Sequence, residues 1–118
     1  MFVCVLKAKL HNLTVTHSKI DYEGSIGLDK KWLDETGILP WEKVQVYNIS
    51  NGERFETYVI EEEEGSGKVV INGAAARKAQ PGDRIIVACY GIMEPEEARK
   101  HKPLIIVFEE ENRIKLKK

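Results

Sequence analysis

Two cysteines in 118 residues are too few for a disulfide framework. Cys4 lies in Phe-Val-Cys-Val-Leu and Cys89 in Ile-Val-Ala-Cys-Tyr, apolar contexts without the paired spacing of zinc ligands. Both are expected to be buried free thiols. Net charge is also scarce. The 18 Lys and Arg stand against 19 Asp and Glu, so no overall field favours nucleic acid or an anionic membrane. Long apolar runs are missing: Phe2 to Leu6 is short for the hydrophobic part of a signal peptide, and no later segment approaches a membrane-crossing length. A cytoplasmic protein with no membrane and no nucleic acid partner is the expectation. Linker composition, low-complexity tracts and repeats are absent too, so residues 1–118 are read as one domain.

What is present is a 42% hydrophobic chain of short β-branched runs separated by turn signals. Val3-Cys4-Val5, Leu13-Thr14-Val15-Thr16, Val69-Val70-Ile71, Ile85-Ile86-Val87 and Leu104 to Phe108 read as strands, the last leading into a charged tail. Val44 to Ile49 and Arg54 to Ile60 flank Asn51-Gly52, whose ease in adopting positive φ predicts a hairpin. Asp29 can cap a short helix over Lys30 to Glu35 that Gly37 and Pro40 stop. Pro95 to Lys100 suits a second helical turn, with Pro at its first position and Glu96 and Glu97 at the positive end of the dipole. The acidic run Glu61 to Glu64, followed by Gly-Ser-Gly, reads as a solvated hairpin tip because four like charges resist burial. Many short strands and few helices in so small a chain predict a mainly β fold closed into a barrel.

One segment interrupts the strand pattern: Tyr22-Glu23-Gly24-Ser25-Ile26. Gly-Ser alone is a common turn dipeptide. Its company is more specific, namely Lys9-Leu10-His11, Val15-Thr16-His17, Gly37-Ile38-Leu39, Asn51-Gly52, Arg54-Phe55, Asn72-Gly73-Ala74-Ala75-Ala76 and Glu96-Glu97-Ala98-Arg99, in that order along nearly the whole chain. In this set the sequence resembles the pyruvoyl-dependent aspartate decarboxylases.

That resemblance implies a small six-stranded double-psi β-barrel, a homotetramer with active sites between subunits, and a zymogen that cuts itself between Gly24 and Ser25 into a β chain, 1–24, and an α chain, 25–118. It implies L-aspartate as substrate, β-alanine and carbon dioxide as products, and a place in pantothenate biosynthesis. A maturation factor is a further partner the family brings into question. Thr57 is implied to polarise the Gly24 carbonyl during cleavage, and Tyr58 to protonate the substrate α-carbon. Asn72, Gly73, Ala74 and Ala75 would line the substrate, and His11, Tyr22 and Tyr47 would support the site. Tyr47 and Ile26 occupy positions where the family pattern varies.

The chemistry explains these residue types. Removing an α-carboxylate leaves electrons on carbon that need a sink, and no ordinary side chain supplies one. A pyruvoyl ketone made from Ser25 does so through an imine with the substrate amine, without pyridoxal phosphate or a metal. The two carboxylates of aspartate call for cationic donors, for which Arg54 and Lys9 are the candidates. Strand geometry raises one difficulty, because consecutive residues Thr57 and Tyr58 should point to opposite faces while both are assigned to one site. Two other readings of the residues stand beside this one. In the first, a noncatalytic binding barrel keeps Gly24-Ser25 as an intact turn. In the second, cleavage ends in hydrolysis and leaves Ser25 with a free amine, as in N-terminal nucleophile hydrolases.

Overall fold

Alternating burial along the strands accounts for most of the architecture, which is seen in a computed structural model describing residues 1–118. In β1 (Val3–Thr14), Ala8, Leu10 and Leu13 are buried while Lys9 and His11 face outward. The same two-residue period buries Val44, Val46 and Asn48 of β4 (Lys43–Asn48) and Ile85 and Val87 of β7 (Arg84–Met93). Two strands are buried along their whole length, polar ends included: β3 (Ser25–Asp29) and β6 (Val69–Asn72). The remaining strands are β2 (His17–Lys19), β5 (Arg54–Glu62), β8 (Leu104–Glu109) and β9 (Arg113–Lys117). The core they enclose is centred on Leu10, Ile26, Leu28, Val46, Val59, Ile71, Val87 and Phe108.

The fold is mainly β, but its ladder differs from the expected closed ring of six strands. Nine strands pair in the linear order β2-β6-β3-β5-β4-β7-β1-β8-β9. Only Val15 and Thr16 separate β1 from β2, so the chain turns from the seventh place of the ladder directly to its first. Thr16 fastens that corner, its N–H donating to the Val69 carbonyl at 2.9 Å and its hydroxyl accepting from Val69 N–H at 2.9 Å. The charged tail also departs from expectation. Glu111 and Asn112 take positive φ and reverse the chain, so that β9 pairs with β8. Alternating Ile114 and Leu116 among lysines was a weak strand pattern that tertiary pairing completes.

The caps form as the sequence predicts. Asp29 accepts from Lys31 N–H at 2.9 Å at the start of α1 (Lys30–Thr36), and Gly37 ends it in the left-handed conformation. The second helix, α2 (Pro95–Lys100), carries Pro at its start. The Asn51-Gly52 hairpin joins β4 to β5 through residues 49–53, a longer loop than a two-residue turn. Asn48 organises it, accepting from the N–H groups of Ser50 and Asn51 through its side chain. The acidic run is not wholly a tip. Glu61 and Glu62 belong to β5, and only the following residues form the turn. That turn is tied to α1 by Asp29, which accepts from Gly65 and Gly67 N–H at 2.9 Å each. Cys89 is buried as expected, whereas Cys4 is exposed on the outer face of β1, where only one side of the sheet is covered.

Candidate active site

Ser25 opens β3 and is 2% exposed, paired across the ladder with Asn72 at the end of β6. The Asn72 amide donates to Ser25 Oγ at 3.0 Å. The other amide atom, Asn72 Oδ1, is buried without a hydrogen-bond partner, a cost that marks a polar site rather than a settled core. Gly24 lies just outside the strand. Its φ is not positive and a Cβ there would meet nothing within 4 Å, so neither backbone conformation nor crowding within the chain requires its glycine. The closer steric constraint falls on Gly73, at φ 70°. A Cβ there would stand 2.7 Å from Gly24 N and Cα and 2.8 Å from the Tyr22 carbonyl, so the 3-10 turn over Gly73–Arg77 presses its backbone against the Gly24 peptide.

Gly24 also borders a cavity of about 410 Å³, together with Phe55, Glu56, Thr57, Tyr58, Ala74, Ala75 and Lys78. Register explains how Thr57 and Tyr58 both reach it. Strand β5 pairs with β4 over Arg54 to Tyr58 but meets β3 only from Val59 onward. Its edge toward β3 is therefore free beside Gly24, and side chains from both faces of the strand border the opening. Glu56 and Lys78 in this lining carried no signal that would single them out in the sequence, and Phe55 stood out only as part of Arg54-Phe55.

A second group lies apart from this cavity. His11, Ile86, Tyr47 and Arg54 stand in one row across β1, β7, β4 and β5, each opposite the next. The Arg54 guanidinium stacks 3.9 Å above the Tyr47 ring, and Tyr47 Oη meets Tyr90 Oη at 3.0 Å. That bond, followed by burial, raises the Tyr90 hydroxyl above the usual phenol range. Desolvation first, then the Lys9 and Lys118 charges, lower the His11 imidazole below its ordinary value, so it is neutral near pH 7; its Nδ1 is buried without a partner. Lys9 sits two pairs along β1 from His11, opposite Ala88. Lys7 does not join it. Lys7 occupies a bulge in β1 and binds both oxygens of Glu42 at 2.8 and 2.7 Å. Along β5, Arg54 is four residues from Tyr58, about 13 Å at a strand's rise of about 3.3 Å per residue. One chain thus does not gather the cations around Ser25.

Tyr22 is also apart from the cavity, 57% exposed, with the Lys19 ammonium 5.6 Å from its ring centroid. A larger depression of about 640 Å³ borders His11, Asn12, Ile86 and Phe108 and none of the groups around Ser25. Cys89 is no rival nucleophile, since burial and then the neighbouring Glu42 push its thiol up to about 12. Two carboxylates or a metal cluster are not what this site offers chemically. It offers a buried hydroxyl that accepts from Asn72 and donates to the Glu23 carbonyl at 3.5 Å, small residues lining a cavity beside Gly24, and a tyrosine in the cavity wall.

The model for the family described as aspartate decarboxylase matches residues 1–115 of this chain. The protein named aspartate 1-decarboxylase from Thioalkalivibrio sulfidiphilus is 52% identical over 114 residues, covering 97% of this chain and 90% of that one. Its namesake from Phenylobacterium zucineum is 50% identical over 115 residues, covering 98% of each. Among solved structures, the rationally designed protein mkDPBB_sym_86 aligns with a TM-score of 0.50 over 67% of this chain and 92% of its own. At 16% identity that likeness concerns the fold alone, that of a double-psi β-barrel.

Proposed function

The chain belongs to the aspartate decarboxylase family, and from that membership we propose that it converts L-aspartate to β-alanine and carbon dioxide with a pyruvoyl group made from its own Ser25. The observation that carries the reading is the buried hydrogen bond from Asn72 to Ser25 Oγ, beside a Gly24 backbone that opens on the cavity. Ser25 and its surroundings fit such a group. Asn72 keeps an unpartnered buried oxygen there, and Gly73 leaves room only for a bare backbone.

In cleavage, Ser25 Oγ attacks the Gly24 carbonyl, and Thr57 at the cavity wall donates to the oxygen that gains charge. The chain passes from amide to ester, the ester is eliminated, and hydrolysis of the resulting dehydroalanine releases ammonia. The pyruvoyl group supplies a ketone that accepts the electrons of the breaking carbon–carbon bond. Around it, Ala74 and Ala75 let substrate lie against the main chain, Asn72 holds its polar atoms, and Tyr58 Oη delivers a proton to the α-carbon after carbon dioxide leaves.

Arg54 and Lys9 hold the two carboxylates, with His11 and Tyr47 supporting them, and they do so from a second copy of the chain. The lining of the cavity beside Gly24 supports that division, because it includes neither Arg54, whose guanidinium lies on Tyr47, nor Lys9. The assembly is accordingly a homotetramer with sites between subunits, in a cytoplasmic enzyme that supplies β-alanine for pantothenate. With β1 and β2 counted as one bent strand, they and β6, β3, β5, β4 and β7 are then the six of the double-psi barrel, closed where β1 turns into β2. Incubating the cleaved protein with L-aspartate and no added cofactor tests the activity: equal amounts of β-alanine and carbon dioxide are expected, and a cleaved, folded protein that releases neither overturns it.

A further inference from the structure

Leu39-Pro40-Trp41-Glu42 forms a tight turn closed by Glu42 N–H donating to the Leu39 carbonyl at 3.1 Å. Pro40 holds the second position and Trp41 the third, where φ is 73°. A turn of that shape wants glycine or asparagine at its third position, because a Cβ in the left-handed region crowds the backbone. Trp is among the least suited residues to it. Burial does not explain its presence either, since its side chain is 73% exposed.

The surrounding structure holds the strained residue in place from several sides. Trp41 N–H donates to the Val59 carbonyl at 2.7 Å, and Val59 N–H donates to the Glu42 carbonyl at 3.1 Å. Glu42 Oε1 accepts from Leu39 N–H at 3.0 Å, and Lys7 binds the same carboxylate. Burial raises the Glu42 carboxyl, but the Leu39 N–H and Lys7 outweigh it and hold the group below its usual range, so it stays an anion that fixes the turn. A conformation maintained at a cost by this many contacts points to a use for the side chain it projects. What that side chain meets is Tyr58. The two rings stack with centroids 5.6 Å apart and planes 26° from parallel.

We infer that Trp41 is a positioning residue for Tyr58: the strained turn lays the indole against the phenol and fixes the plane of a ring that borders the cavity. The inference rests on the reading of Tyr58 as the proton donor. A phenol ring on a strand edge that is free on its β3 side has room to rotate about its side-chain bonds, and a flat aromatic neighbour removes that freedom. Proton delivery depends on placement within tenths of an ångström, so loss of the stack lowers turnover without removing a group that binds substrate.

The test uses the cleaved, assembled enzyme and the variants Trp41→Gly and Trp41→Phe. Trp41→Gly suits the backbone better and deletes the ring, so it is expected to unfold at the same or a higher temperature while kcat falls about tenfold and KM stays within about twofold. Trp41→Phe keeps an aromatic face and is expected to retain at least about half of kcat. In a Tyr58→Phe background, Trp41→Gly is expected to change nothing further, as for two residues acting through one group. An unchanged kcat in Trp41→Gly overturns the inference, as does an equal fall in both backgrounds, or a fall that accompanies loss of assembly or of cleavage. Full turnover in Tyr58→Phe alone would instead overturn the donor role of Tyr58, and the positioning role with it.

Discussion

Gly73 packs against the backbone of the residue before the bond to be cut, where a Cβ on it would stand 2.7 Å from Gly24 N and Cα. Its missing Cβ leaves the Gly24 peptide where it is, and its φ of 70° aims the following turn into the cavity. Gly73→Ala must either push the Gly24 backbone away from Ser25 Oγ or unwind the turn, since backbone rather than a flexible side chain stands in the way. The expected result is a folded protein in which at least about nine chains in ten stay uncut over the time the parent needs to process, read on a denaturing gel. Full processing of Gly73→Ala would show that the contact does not set the cleavage geometry. Gly73 was legible in the sequence only as a member of a matching motif. The close approach itself was not, because it joins residues 24 and 73, and no local pattern records that meeting. At Gly24 itself φ is not positive and a Cβ would meet nothing within 4 Å, so the constraint at this junction falls on Gly73.

At the scale of the element, Asp29 joins three pieces of chain. It is 2% exposed, caps α1, and accepts from two glycine N–H groups of the loop after β5. Hydrogen bonds to a charged group contribute about 1.5–3 kcal/mol each and are not additive, so Asp29→Ala is expected to cost about 3 kcal/mol in urea unfolding, well above a helix cap alone at about 1 kcal/mol. A loss near the cap value would mean the loop finds other acceptors. The sequence made the cap visible, because Asp before a short helical pattern is a local signal. It hid the loop's half of the arrangement, and the four-glutamate run was misread in part because Glu61 and Glu62 of β5 pair with Leu28 and Asp29 of β3 despite their charge. The bulge at Lys7 and the positive φ of Asn12 in β1 were equally hidden, each being imposed by the pairing with β7.

The whole molecule separates the groups that recognise a dicarboxylate from those around Ser25, and the proposed oligomer reunites them. Arg54→Ala alone is expected to be cleaved yet inactive, and Tyr58→Phe to be cleaved and nearly so. Co-expressed in equal amounts, the two chains should recover about a quarter of parental activity, because about one site in four then takes an intact Arg54 from one chain and an intact Tyr58 from the other. No recovery in mixed assemblies would place both residues in a single-chain site. Strand content and the hairpin were readable at this scale from period and turn chemistry. The nine-strand order was not, since β2 and β9 are short pieces whose pairing depends on distant partners.

The central claim is that Ser25 loses its nitrogen to become a ketone, and one mass spectrum of the denatured protein tests it most directly. The account predicts two fragments, Met1 to Gly24 and a second beginning at residue 25. The larger should weigh one ammonia less than a serine-started chain and resist N-terminal sequencing, and Ser25→Ala should give one uncut, inactive chain. An active protein that is wholly uncut, or a large fragment bearing a free amine and no ketone, would contradict it.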